Sequence, residues 1–88
     1  MSTNIEEELS REQFSVYQFF RDGTYERVCA FVSIDEAIAK ARHYTTSVAA
    51  QTGITRRVII TDGGDCVCFE WLFGKGVTNF SEVGPEEG

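Results

Sequence analysis

The residues whose chemistry stands out are Cys29, Cys66 and Cys68, the single histidine His43, and the hydroxyl of Ser47 one helical turn from it. Cys66-Val67-Cys68 together with Cys29 suggests a metal site, a disulfide or a redox centre. A structural zinc needs four ligands, and His43 belongs to a helix expected on the far side of the sheet from the thiols. A Cys66–Cys68 bridge fails on geometry: two residues along a strand lie about 6.6 Å apart, whereas bridged Cβ atoms sit about 3.8 Å apart. No Lys or His neighbour in the pattern favours a thiolate. The three thiols are therefore read as small apolar groups on the helix-free sheet face, in buried or interface positions.

The remaining motifs also favour structural readings. Asp62-Gly63-Gly64-Asp65 offers two carboxylates, short of a calcium loop, but it suits a hairpin turn. Gly74-Lys75-Gly76-Val77-Thr78 lacks the upstream glycine and the following helix of a phosphate loop. His43 and Ser47 have neither an orienting acid nor an oxyanion site. Arg56 and Arg57 fall on opposite faces of a strand, which splits the one basic pair. No catalytic, cofactor-binding or metal residue is assigned, and the chain is read as a non-enzyme.

These residues are carried by two hairpins and a helix. Val58–Thr61 and Val67–Phe73 are strand-like and flank Gly63-Gly64, read as a two-residue loop. That register sets Arg57 opposite Glu70 and Arg56 beside Trp71. It gives one face with Val58, Ile60, Val67, Phe69, Trp71 and Phe73, and another with Ile59, Thr61, Cys66, Cys68, Glu70 and Leu72. Phe14–Phe20 and Tyr25–Val32 flank Asp22-Gly23, read as a second two-residue loop. Here Val16 faces Cys29 and Gln18 faces Arg27. Because a Gln–Arg pair sits badly in a core, the face with Tyr17, Phe19, Val28, Ala30 and Val32 is expected to meet the helix. Ser33-Ile34-Asp35-Glu36 is a capping box. The helix it opens is expected to run to Gln51 or Thr52 and stop at Gly53, burying Ile34, Ala37, Ile38, Ala41, Tyr44, Thr45, Val48 and Ala49. The segment Tyr44–Ser47 is a poor helix former, where the helix either bends or is held by packing. Val77–Phe80 is placed as a possible return against the sheet.

The net charge of −6 resides in the ends. Glu6, Glu7, Glu8 and Glu12 face only Arg11 in residues 1–13. Glu82, Glu86 and Glu87 have no base beside them in residues 81–88. Both ends are read as acidic disordered tails around a single domain, residues 14–80. The N-terminus has no signal-peptide pattern and no apolar run is long enough for a membrane span. An odd cysteine count argues against a secreted disulfide framework. Together these imply a cytoplasmic setting. A neutral core with acidic ends speaks against nucleic acid as partner. Seven Phe, three Tyr and one Trp are more bulky surface than one helix and one sheet face cover in so small a domain, which points to a homodimer.

Tyr17-Gln18-Phe19-Phe20, Asp22-Gly23, Glu36-Ala37, Tyr44-Thr45, Val58-Ile59-Ile60-Thr61-Asp62, Glu70-Trp71 and Gly74-Lys75-Gly76 resemble a family of short alphaproteobacterial proteins of unknown function, across about Phe14–Phe80. The resemblance implies a bacterial cytoplasmic protein and no site residues. The expected fold is α+β, ordered β-β-α-β-β, a mostly antiparallel four-stranded sheet with one helix on one face. The expected interface is Val16, Gln18, Arg27, Cys29, Ile59, Cys66, Cys68, Glu70 and Leu72. The expected function is a self-associating interaction module, with a nucleic-acid-associated regulator or a ligand site at the dimer interface as alternatives.

Overall fold

The computed structural model describes residues 13–80; the two acidic ends lie outside them, apart from Gln13. The elements are β1 (Phe14–Phe20), β2 (Tyr25–Val32), α1 (Ile34–Thr45), α2 (Val48–Gln51), β3 (Thr55–Thr61), β4 (Val67–Leu72) and β5 (Gly76–Phe80). The chain is α+β, and its sheet has five antiparallel strands in the order β2-β1-β3-β4-β5 rather than four. The two hairpins join through β1 and β3, which places these apolar strands at the centre and leaves β2 and β5 as edges.

Both predicted two-residue loops are longer. In the first, the Phe20 amide donates to the Thr24 carbonyl at 2.8 Å and the Gly23 amide to the Phe20 carbonyl at 3.0 Å. This is a three-residue loop whose last member, Gly23, has φ 92°, where a side chain is disfavoured. Asp22 locks it by accepting from both the amide and the hydroxyl of Thr24, and these bonds hold its carboxyl below the ordinary value. The second loop repeats the pattern. The Asp62 amide bonds to Cys66 and the Asp65 amide to Asp62, while Asp65 takes the left-handed position at φ 64°.

The longer loops and a bulge in each hairpin reset the registers. Ile59 pairs with Glu70, and Val58 with Trp71, two residues from the expected alignment. An even shift preserves the faces, so Val58, Ile60, Phe69 and Trp71 still belong to the core. Arg57 still reaches Glu70, now diagonally, at 2.6 Å. Arg56, expected beside Trp71, instead stands 5.1 Å from the Phe73 ring centre.

In β1 the expected inner face is reversed, whereas Val28 and Val32 of β2 pack against the core as expected. Phe14, Val16 and Gln18 are buried beneath the helix side, while Tyr17 and Phe19 turn outwards by alternation. Gln18 is accommodated because its amide is satisfied. Its Nε2 donates to Glu26 Oε1 at 2.8 Å, and its Oε1 accepts from the fully buried Thr55 hydroxyl at 3.0 Å. Gln18 pairs with Glu26, not Arg27, because the register shifts between Val16 and Tyr17. That bulge lets both Val28 and Cys29 pack against the core.

Ser33 caps α1, its Oγ accepting from the Glu36 amide at 3.1 Å. Ala37 and Ala41 are buried at the contact with β1 and β3, where small residues let the helix lie close. The expected single helix is two. The Thr46 hydroxyl donates back to the Arg42 carbonyl at 2.8 Å, and Ser47 starts a new cap by accepting from the Ala50 amide. Such side chains compete with the helical ladder. The break leaves Val48 exposed, contrary to expectation, and buries Ala50. Gly53 ends this segment at φ 84° with the Phe73 ring against it, so a β-carbon there would meet the ring at 3.2 Å.

Candidate functional site

One side of the sheet is covered by α1, and no element of the described chain covers the other. This open face is built from alternate residues of the strands. β1 supplies Tyr17 and Phe19. β3 supplies Arg57, Ile59 and Thr61, and β4 supplies Glu70 and Leu72. Tyr25 and Arg27 reach the same face from β2, because they pair with Phe19 and Tyr17.

The side chains form a connected row across the strands. The Tyr25 ring lies 5.5 Å from Phe19 and 6.0 Å from Tyr17, tilted in both cases. The Arg57 guanidinium stands 5.0 Å above the Phe19 ring centre, a cation–π contact. Arg57 Nε then donates to Glu70 Oε2, and the Thr78 hydroxyl of β5 donates to Glu70 Oε1 at 2.7 Å. The hydroxyl, then the guanidinium, hold the Glu70 carboxyl below its ordinary value. The row thus ties the edge strand β5 to the centre of the sheet. Ile59 is already buried under these neighbours, and Leu72 is half-buried.

Of the nine residues expected at an interface, Arg27, Ile59, Glu70 and Leu72 share this face. Val16, Gln18 and Cys29 do not: they pack on the helix side, for the register reasons given above. Cys68 is displaced as well. The shift between Ile60 and Thr61 brings it into the buried cluster, with its thiol donating to the Ile60 carbonyl at 3.5 Å. Cys66 is exposed beside the hairpin loop. The thiols therefore do not share one face, and burial raises the thiol pKa of both Cys29 and Cys68. Among the described residues, no group of His, Cys, Asp and Glu comes together as a metal cage. His43 packs edge-on against Tyr44, ring centres 4.8 Å apart.

Tyr17 and Phe19 were missed as members of the open face. Their alternation was visible in the sequence, but the polarity of Gln18 pointed the strand the wrong way. Among the described residues, no helix is long and apolar enough to cross a membrane. Comparison with family models, curated proteins and solved structures found no match.

Proposed function

We propose that the protein is a non-enzymatic interaction module that pairs with a second copy through the open face of its sheet. The observation that carries this reading is the cluster of Tyr17, Phe19, Tyr25, Ile59 and Leu72 on a face that no element among the described residues covers. An antiparallel sheet tolerates one solvated face, but that face is then normally polar. Arg57 and Glu70 within it are mutually paired, so they enter an interface without a stranded charge.

The dimensions set the strength. Five strands at about 4.8 Å spacing and about six residues at about 3.3 Å rise give a face of roughly 24 by 20 Å. Two such faces bury on the order of 1,000 Å², the low end for specific association. A reversible dimer with a dissociation constant of micromolar order is the expectation.

Light scattering across a concentration series tests it. Wild type is expected to move from monomer to dimer between roughly 0.1 and 100 micromolar, a range centred on the stated affinity. Leu72→Asp should stay monomeric with an unchanged circular dichroism spectrum, whereas Phe69→Asp should unfold. A wild-type chain that stays monomeric throughout refutes the reading. Leu72 is the better probe, because Ile59 is only 6% exposed within the single chain and its replacement would also disturb folding.

One observation favours a second reading. Aromatic rings on an open sheet with Arg27 and Arg57 beside them resemble the platforms that stack single-stranded bases. Salt-sensitive binding of a fluorescent oligonucleotide, lost in Phe19→Ala, would select this nucleic-acid reading over self-association.

A further inference from the structure

On the opposite side of the sheet, α1 stops short of covering β4 and β5. The gap is a cleft of about 270 Å³. Its floor is Ile60 and Phe69, its helical wall is Ile38, Ala41 and Thr45, and its outer wall is Val77 and Phe80. Phe80 stands edge-on to Phe69 at 5.9 Å, which props the outer wall open. Val77 and Phe80 remain 57% and 55% exposed, so this wall lacks apolar cover.

Arg42 is the one charged group lining the cleft. Among the described residues the ion pair formed is Arg57–Glu70, and none involves Arg42. Its neighbours one helical turn away, Ile38, Ala39, Thr45 and Thr46, bear no carboxylate. The Thr45 hydroxyl is directed to the Arg42 carbonyl at 3.1 Å. The mouth of an apolar cleft therefore holds one guanidinium whose charge no described side chain balances.

We infer that this cleft binds a small amphipathic monocarboxylate, its apolar body between α1 and β5 and its head group on Arg42. A guanidinium matches a carboxylate through two parallel N–H donors. The cleft lies just under the range of drug-sized sites. At roughly 30 Å³ per atom, taking the volume share of a water, it holds about nine non-hydrogen atoms. A medium-chain fatty acid or a one-ring aromatic acid is of that size. A single cation at the rim and a chain of net charge −6 favour a monoanion over a phosphate dianion. The cleft lies on the helix side, so the inference stands whether or not the open face pairs.

The test is a ¹H–¹⁵N NMR titration of the full chain with octanoate, and in parallel with octanol, its uncharged counterpart. Octanoate is expected to shift the amides around Ile38, Arg42, Val77 and Phe80 and to bind at least tenfold more tightly than octanol. Arg42→Gln, a change at an exposed site, should abolish that tenfold preference and leave octanol binding unchanged. Val77→Trp, which fills the cleft from its exposed wall, should weaken both. The inference is overturned if octanol binds as well as octanoate, if the shifts fall around Tyr17 and Leu72, or if neither probe binds at millimolar concentration. It is also overturned if the Val77 and Phe80 signals follow protein concentration instead of octanoate, which would assign the cleft to a second copy.

Discussion

Gln18 and Thr55 form the most exacting test of the core. Thr55 has no solvent exposure and Gln18 only 6%, and the Thr55 hydroxyl donates to Gln18 Oε1 at 3.0 Å. In Gln18→Met the hydroxyl keeps its buried position and loses its acceptor. A buried polar group left unsatisfied costs about 1–3 kcal/mol. Glu26, the other partner of Gln18, is exposed and regains water at little cost. The double variant Gln18→Met/Thr55→Val removes both halves of the bond and replaces them with apolar groups of similar shape. It should recover to within about 1 kcal/mol of wild type, because no orphan remains. Urea unfolding followed by the fluorescence of Trp71 provides the assay. With a slope of about 1 kcal/mol/M for so small a domain, the single variant lowers the midpoint by about 1–3 M and the double variant restores most of it. The reasoning fails if Gln18→Met is as stable as wild type. It fails equally if the losses from Gln18→Met and Thr55→Val simply add, since a shared bond must produce coupling.

Three further perturbations probe the irregularity in β2, the open face and the thiols. Phe31 is 72% exposed and sits at φ 59°, a strained backbone for a bulky side chain; Phe31→Asn, which tolerates that region, should raise stability by about 1 kcal/mol in the same urea assay. The folded state lowers the Glu70 pKa, so its contribution is present above the ordinary value of 4.5 and is lost as pH falls through the folded value. Wild type should therefore exceed Glu70→Gln in melting temperature at neutral pH, and the gap should begin to narrow as pH falls below about 4.5 and close once pH is below the folded value. Cys66 is exposed while Cys68 is buried and Cys29 partly so, so a thiol reagent should label one site rapidly and the other two only after denaturant is added. Mass spectrometry of the labelled peptides identifies the fast site as Cys66 or refutes the placement.

Much of the local structure was legible in the residues themselves. Asp22-Gly23 and Gly63-Gly64 marked both turns, and Ser33 marked the start of α1 through its short-range bond to the Glu36 amide. Two-residue alternation marked the Val58, Ile60, Phe69 and Trp71 face, which survived a shifted register because the shift was even. The open-face row was half legible: Arg57 with Glu70 was found, while Tyr17 and Phe19 were not.

Tertiary structure decided the rest, wherever two local choices differ by less than the packing that follows from them. A two-residue and a three-residue loop are close in energy. Both place Val58, Ile60, Phe69 and Trp71 on the core face, because the two registers differ by an even step, so the residue pattern did not choose between them. Gln18 was directed outwards by its polarity, since polarity alone carries no knowledge of Thr55, a partner 37 residues away. The cysteines were placed on one face by alternation, and bulges that no short stretch announces dispersed them. The cleft beside Arg42 exists only because β5 joins the sheet beyond the reach of α1. Turn chemistry and capping act over a few residues and are written in the sequence, whereas the satisfaction of a buried amide and the overlap of a helix with a sheet are properties of distant pairs.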